Sequence, residues 1–246
     1  MREAFTYMFK DKCLWEKAGL YFFILILANI FTAFSETQSY LSIRPDLFST
    51  NPLGENLLYI VTLFLYTLLT GYFISLTTAI IKQNTNIVLP RFNIGLNFVK
   101  ALKYLLAITL IAICYFIVVL TAETFLGKTY SDTLIIIIKL FYSIYGIAFF
   151  WNFANNNDIL TFFDFKNTFK YVAKAPKNYI KYLLIIGLII ILGSLLTVII
   201  EYIMSFISSN ILAILLFAFI STTIETYIAF STSYLIARSI KIETVV

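Results

Sequence analysis

LLIIGLIIIL, residues 183–192, carries ten consecutive residues without a charged or polar side chain. Nothing in it alternates between apolar and polar, as a strand of a membrane barrel would, so it reads as helix. It lies within a longer apolar run, 179–203. A helix needs ~20 mainly apolar residues to cross the hydrocarbon core, and this run has them. Five more runs of the same kind cover approximately 18–34, 57–81, 101–122, 133–153 and 211–237.

Composition agrees. Of 246 residues, 61% are hydrophobic and only 13% charged, against about half and a quarter in a soluble domain. The expected fold is all-α: a polytopic integral membrane protein with six transmembrane helices in one domain over 1–246. The chain has no histidine, which removes Ser-His-Asp catalysis, His-ligated metals and His proton relays. Cys13 stands in a lysine-rich stretch and Cys114 in an apolar run, so neither a disulfide nor a metal cage is expected. No glycine-rich phosphate loop occurs, and no cofactor is implied. The net charge of +5 comes from basic residues beside apolar runs. That is a sign of membrane topology, not of nucleic acid.

Orientation follows from where those residues fall. Fifteen of the eighteen Lys and Arg lie in 1–17, 82–103, 154–181 and the C-terminal tail. The alternate connections hold only Arg44 and Lys128, and Lys139 falls inside the fourth run. This split puts both termini in the cytoplasm. Ala33-Phe34-Ser35 resembles a signal-peptidase site, but the segment before the first run has a pattern of its own, and an uncleaved first helix is expected.

That pattern recurs. An aromatic, basic segment precedes each helix that enters from the cytoplasm: 5–15, 89–100 and 162–174. In the third, Phe165 and Phe169 share one helical face with Phe162 and Val172, while Lys166, Lys170 and Lys174 share another. Thr161 and Asp164 fit a capping box, and Pro176 breaks the pattern. Interfacial amphipathic helices are expected, with rings in the acyl boundary and ammonium groups toward anionic headgroups. Lys103-Tyr-Leu-Leu106 recurs as Lys181-Tyr-Leu-Leu184. The spacing suggests three parallel copies of one unit: interfacial segment, helix up, helix down.

A family resemblance rests on short motifs. Phe5-Thr-Tyr-Met-Phe-Lys-Asp-Lys-Cys-Leu-Trp15, followed by Lys17-Ala-Gly19, resembles the opening of an uncharacterised prokaryotic multi-pass membrane family, domain of unknown function 4013. Gly71-Tyr72, Leu89-Pro90-Arg91-Phe92 and Asn178-Tyr179 resemble later landmarks of that family. The small residues expected after the first motif are partly replaced by Tyr21-Phe22-Phe23. The resemblance implies a prokaryotic membrane protein and no particular activity.

Charged groups inside a span need a reason, because each costs ~2.5–3.5 kcal/mol at the bilayer centre on insertion scales. Lys139 either snorkels outward or pairs with Glu201, near the outer end of the fifth run. Glu225 stands 14 positions past Ile211, about 21 Å along a helix and near mid-span. Thr222, Thr226 and Ser233 share its face, and Thr67, Gly71, Ser75 and Thr78 of the second run offer a partner face. This set reads either as a hydrogen-bonded carboxyl group holding helices together or as a proton- or cation-linked site.

The expected function is a non-enzymatic transport or membrane-assembly component. The alternatives are a lipid-sensing or membrane-shaping protein and an intramembrane lipid-processing enzyme. Against the enzyme, the cytoplasmic acids Asp158 and Asp164 form no cluster. The expected partners are anionic lipid headgroups and other membrane proteins. Abundant Phe, Tyr, Ile, Asn and Lys suggest an AT-rich prokaryotic genome and the plasma membrane.

Overall fold

The computed structural model describes residues 2–11, 13–40, 52–83, 88–206 and 211–240. All regular structure among them is helical. A short α1 (Arg2–Thr6) runs into a 3-10 turn (Tyr7–Lys10). There follow α2 (Leu14–Tyr40), α3 (Pro52–Lys82), α4 (Ile94–Leu126) and α5 (Lys128–Asn156). A second 3-10 turn (Ile159–Phe163) leads to α6 (Phe165–Lys174), α7 (Pro176–Phe206) and α8 (Ile211–Ser239). Six helices are long and apolar enough to cross a membrane, over Leu14–Thr32, Leu57–Lys82, Ile94–Phe125, Tyr130–Asn156, Pro176–Ile200 and Leu215–Ser239. The chain is a multi-pass membrane protein.

The helix ends depart from the apolar runs for local reasons. Residues 94–100, expected in a separate interfacial segment, are the first two turns of α4. Asn93 caps that helix, its side chain accepting from the Leu96 amide at 3.0 Å. Pro176 ends α6 and opens α7, where its missing N–H costs nothing. Only Gly127 separates α4 from α5, at φ +81°, a conformation that favours glycine.

The packing has a cyclic form. Three hairpins, α2–α3, α4–α5 and α7–α8, surround a central trio made of their second helices, since α3, α5 and α8 contact one another. α4 also packs on α3, and α2 also packs on α8. Tyr179 of α7 donates to the carbonyl of Ile144 on α5. The repeat is unequal at its approaches: the first and third copies have a helical segment before the span, and the second enters α4 directly.

The lysine-rich connections meet at one end, hereafter the basic end. Thr78 of α3 donates to the Ala154 carbonyl of α5 at 2.7 Å, and Trp151 to the Ala237 carbonyl of α8 at 3.2 Å. Large buried side chains, among them Tyr72, Phe149, Phe153 and Phe230, concentrate toward this end. Farther along, α4, α5 and α7 expose Ile113, Phe116, Ile136, Leu195 and Val198, as helices facing lipid do. Gly71 makes the α3–α4 crossing close, because a Cβ there would lie 1.8 Å from the Asn97 carbonyl oxygen.

Candidate functional site

Near mid-span, α2, α3 and α8 meet at polar side chains. Asn29 of α2 directs its amide nitrogen to Thr222 Oγ1 at 3.0 Å, Glu225 Oε2 at 3.2 Å and Ser221 Oγ at 3.4 Å, all on α8. Its amide oxygen accepts from the Tyr66 hydroxyl of α3 at 3.1 Å. Tyr66 also lies 3.5 Å from Thr32 Oγ1. Asn29, Ser221 and Thr222 are buried, and Glu225 is partly buried. Two amide hydrogens serve three acceptors, so the Asn29–Glu225 bond competes with the hydroxyls. Neither ion pair among the described residues involves Glu225. The junction is a carboxyl group held by a neutral amide donor.

Glu225 and Thr222 come together here; the other expected members do not. Thr226 Oγ1 and Ser233 Oγ are buried without a hydrogen-bond partner among the described residues. Thr226 lines a groove together with residues of α7. Lys139 is exposed on α5 beside exposed Ile136, Ile137 and Leu140, on a surface turned away from the bundle. The side chain of Glu201 lies outside the described residues. Of the second-span face expected opposite Glu225, Gly71, Ser75 and Thr78 turn elsewhere. Ser75 donates to Asn97 of α4 at 2.9 Å, Gly71 abuts Asn97, and Thr78 reaches α5. Asn29 and Tyr66 were not foreseen, because periodicity groups residues within one helix and is silent on the partner helix.

A second polar assembly sits at the basic end. The Asp11 carboxylate accepts from Lys17 Nζ at 2.7 Å, from the Leu89 amide at 2.8 Å and from the Cys13 amide at 2.9 Å. Burial pushes this carboxyl group up, but the Lys17 ammonium and the two amides outweigh it and hold it below the usual range. Tyr72 donates to the Pro90 carbonyl at 3.1 Å and stacks on Phe92 at 5.2 Å. The short sequence motifs around Asp11, Gly71-Tyr72 and Leu89-Pro90 thus form one junction of α2, α3 and the approach to α4. Arg91 pairs with Glu16 at 2.6 Å on its exposed rim.

The first aromatic segment is partly buried, with Phe9 and Trp15 exposed. Tyr7 and Met8 are buried, and the Tyr7 hydroxyl donates to the Phe230 carbonyl at 3.0 Å. That burial raises the Tyr7 phenol well above its ordinary value. Glu3 accepts from Tyr234 at 2.8 Å, which together with nearby Lys10 lowers its carboxyl value. In the third segment, Asp164 caps α6 by accepting from the Asn167 amide at 3.0 Å. Thr161 belongs to the preceding 3-10 turn instead of the cap. Phe165 and Phe169 rest edge-on against Phe149 and Tyr145 of α5. Lys166, Lys170 and Lys174 are exposed.

The family described as protein of unknown function DUF4013 matches residues 56–204, more than half of the chain. The match takes in Gly71-Tyr72, Leu89-Pro90 and Asn178-Tyr179 and begins after the opening motif. No curated protein and no solved structure matches the chain. With its match running from α3 through most of α7, the chain belongs to the DUF4013 family of proteins of unknown function.

Proposed function

We propose that this protein is a non-enzymatic transport component of the prokaryotic plasma membrane, with both termini in the cytoplasm. Its coupling site is the Asn29–Tyr66–Glu225 junction, which takes up a proton or a monovalent cation. One observation carries the reading. A carboxylate near mid-span receives a neutral amide donor at 3.2 Å and belongs to no ion pair among the described residues. Such groups mark ion or proton pathways. The junction joins three helices, so its occupancy would change how α2, α3 and α8 pack.

Thermal unfolding of the purified protein tests this. Sodium, lithium or a pH lowered no further than about 5, above the range where paired carboxylates are protonated, should raise the melting temperature, since a ligand of the folded state alone stabilises it by about 2.7 kcal/mol at a hundredfold excess over Kd. Glu225→Gln can keep the hydrogen bonds, so it should fold and lose the response. An unchanged response in Glu225→Gln would remove the site.

A lipid-sensing surface is a second reading, favoured by the exposed Lys166, Lys170 and Lys174 beside half-exposed Phe165 and Phe169. A peptide covering residues 160–177 should gain helicity on anionic vesicles and not on neutral ones. Equal gains on both would discard it.

A further inference from the structure

Between α2 and α7, with α8 as its floor, runs a groove of about 560 Å³. Trp15 and Phe22 line one wall, Leu192 and Gly193 the other, and Thr226 and Tyr227 the floor. It begins beside Phe9 at the basic end and continues into the spans. Almost all of its lining is carbon, so water gains nothing by filling it. In a bilayer, hydrocarbon fills it instead.

The groove runs along the helices. The lining covers Trp15 to Phe22 on α2 and Ile189 to Leu196 on α7, each about 10 Å of helix. An extended acyl chain running along the helix axes matches a groove of that length and apolar lining. One leaflet of a hydrocarbon core about 30 Å thick accommodates such a chain.

Charge at the open end selects the headgroup. Lys10 follows Phe9 directly, and Lys181 lies on α7 about 12 Å toward the basic end from Ile189. Both are exposed, and neither belongs to the ion pairs that the described residues form. We propose that the α2–α7–α8 groove holds an acyl chain of an anionic glycerophospholipid from the cytoplasmic leaflet, with Lys10 and Lys181 flanking its phosphate. This site is separate from Glu225 and stands or falls without it.

The chain's two tryptophans make the test direct. Trp15 is 74% exposed and lines the groove, while Trp151 is buried at 8%. Bromines on acyl chains therefore quench Trp15 and spare Trp151. The full-length protein would be reconstituted in phosphatidylcholine vesicles containing increasing fractions of phosphatidylglycerol with brominated chains. The reverse labelling, brominated phosphatidylcholine, is the comparison. Phosphatidylglycerol should reach half-quenching at a lower mole fraction, by about fivefold for each lysine that meets the phosphate. Lys10→Gln with Lys181→Gln alters only exposed side chains and should abolish the preference. Gly19→Leu projects into the groove, where a Cβ has only the Trp15 ring near it, at 3.9 Å. It should reduce quenching by both lipids. Identical curves for the two lipids in the wild type would overturn the proposal. So would a preference that survives the double lysine change, or a dimer that shields Trp15 from both lipids.

Discussion

Asn29 on α2 holds Glu225 on α8 at 3.2 Å across 196 residues of sequence, and Tyr66 on α3 holds Asn29 in turn at 3.1 Å. One amide thereby ties three spans together. Its loss should be felt as coupling between helices. In a cycle of Asn29→Ala, Glu225→Ala and the double variant, measured by unfolding in detergent, the coupling should be about 0.6 kcal/mol, the average for hydrogen bonds between membrane helices, and no more than about 1.7 kcal/mol. Strict additivity would show that the bond contributes nothing.

Two glycines at helix crossings should behave differently. A Cβ at Gly71 would lie 1.8 Å from a backbone oxygen of Asn97, and the backbone of α4 cannot yield cheaply. A Cβ at Gly193 would meet the end of the Ile228 side chain at 2.1 Å, which can rotate away. Gly71→Ala should cost at least the upper end of the about 1–3 kcal/mol typical of overpacking. Gly193→Ala should lower the melting temperature only slightly. Equal effects would contradict the α3–α4 packing.

The Asp11 junction should give an acid-sensitive stability. Its carboxyl value is lowered in the folded protein, so its contribution is present above the unfolded value of about 3.9 and is lost as pH falls through the folded value. Wild-type melting should drop across that acidic window. Asp11→Asn should melt a few degrees lower at neutral pH and lack that component of the acid dependence. A variant that melts like the wild type at every pH would remove the ionic role.

Orientation has a labelling test. In a background with Cys13 and Cys114 replaced by Ser, Gly127→Cys should react with an impermeant thiol reagent on intact cells. Asn93→Cys should react only after permeabilisation. The opposite pattern would invert the topology.

Much of the fold was legible in the sequence because six apolar runs separated by basic connections leave few arrangements in a bilayer. The ends were less legible. Asn93 starts α4 before the apolar run begins, and a cap is a local hydrogen bond that hydropathy does not register. The site was legible by halves. Glu225 and Thr222 share a helical face and meet, but Thr226, one position past Glu225, turns to the groove beside α7. The partner face of Glu225 was expected at Thr67, Gly71, Ser75 and Thr78, and the last three meet other helices. Small residues announce that some helix comes close, not which one, and Gly71 and Ser75 receive Asn97 of α4. Asn29 sits in an apolar run with nothing to single it out.

Infrared difference spectroscopy of the reconstituted protein, recorded on exchanging a sodium-free buffer for sodium and on stepping the pH, tests the central claim most directly. The carboxyl region should show a component in the wild type that is missing in Glu225→Gln, while the other carboxyl signals and the amide bands of the helices stay the same. Carboxyl difference spectra identical in the wild type and Glu225→Gln under both exchanges would contradict the assignment of Glu225 as the ion-responsive group.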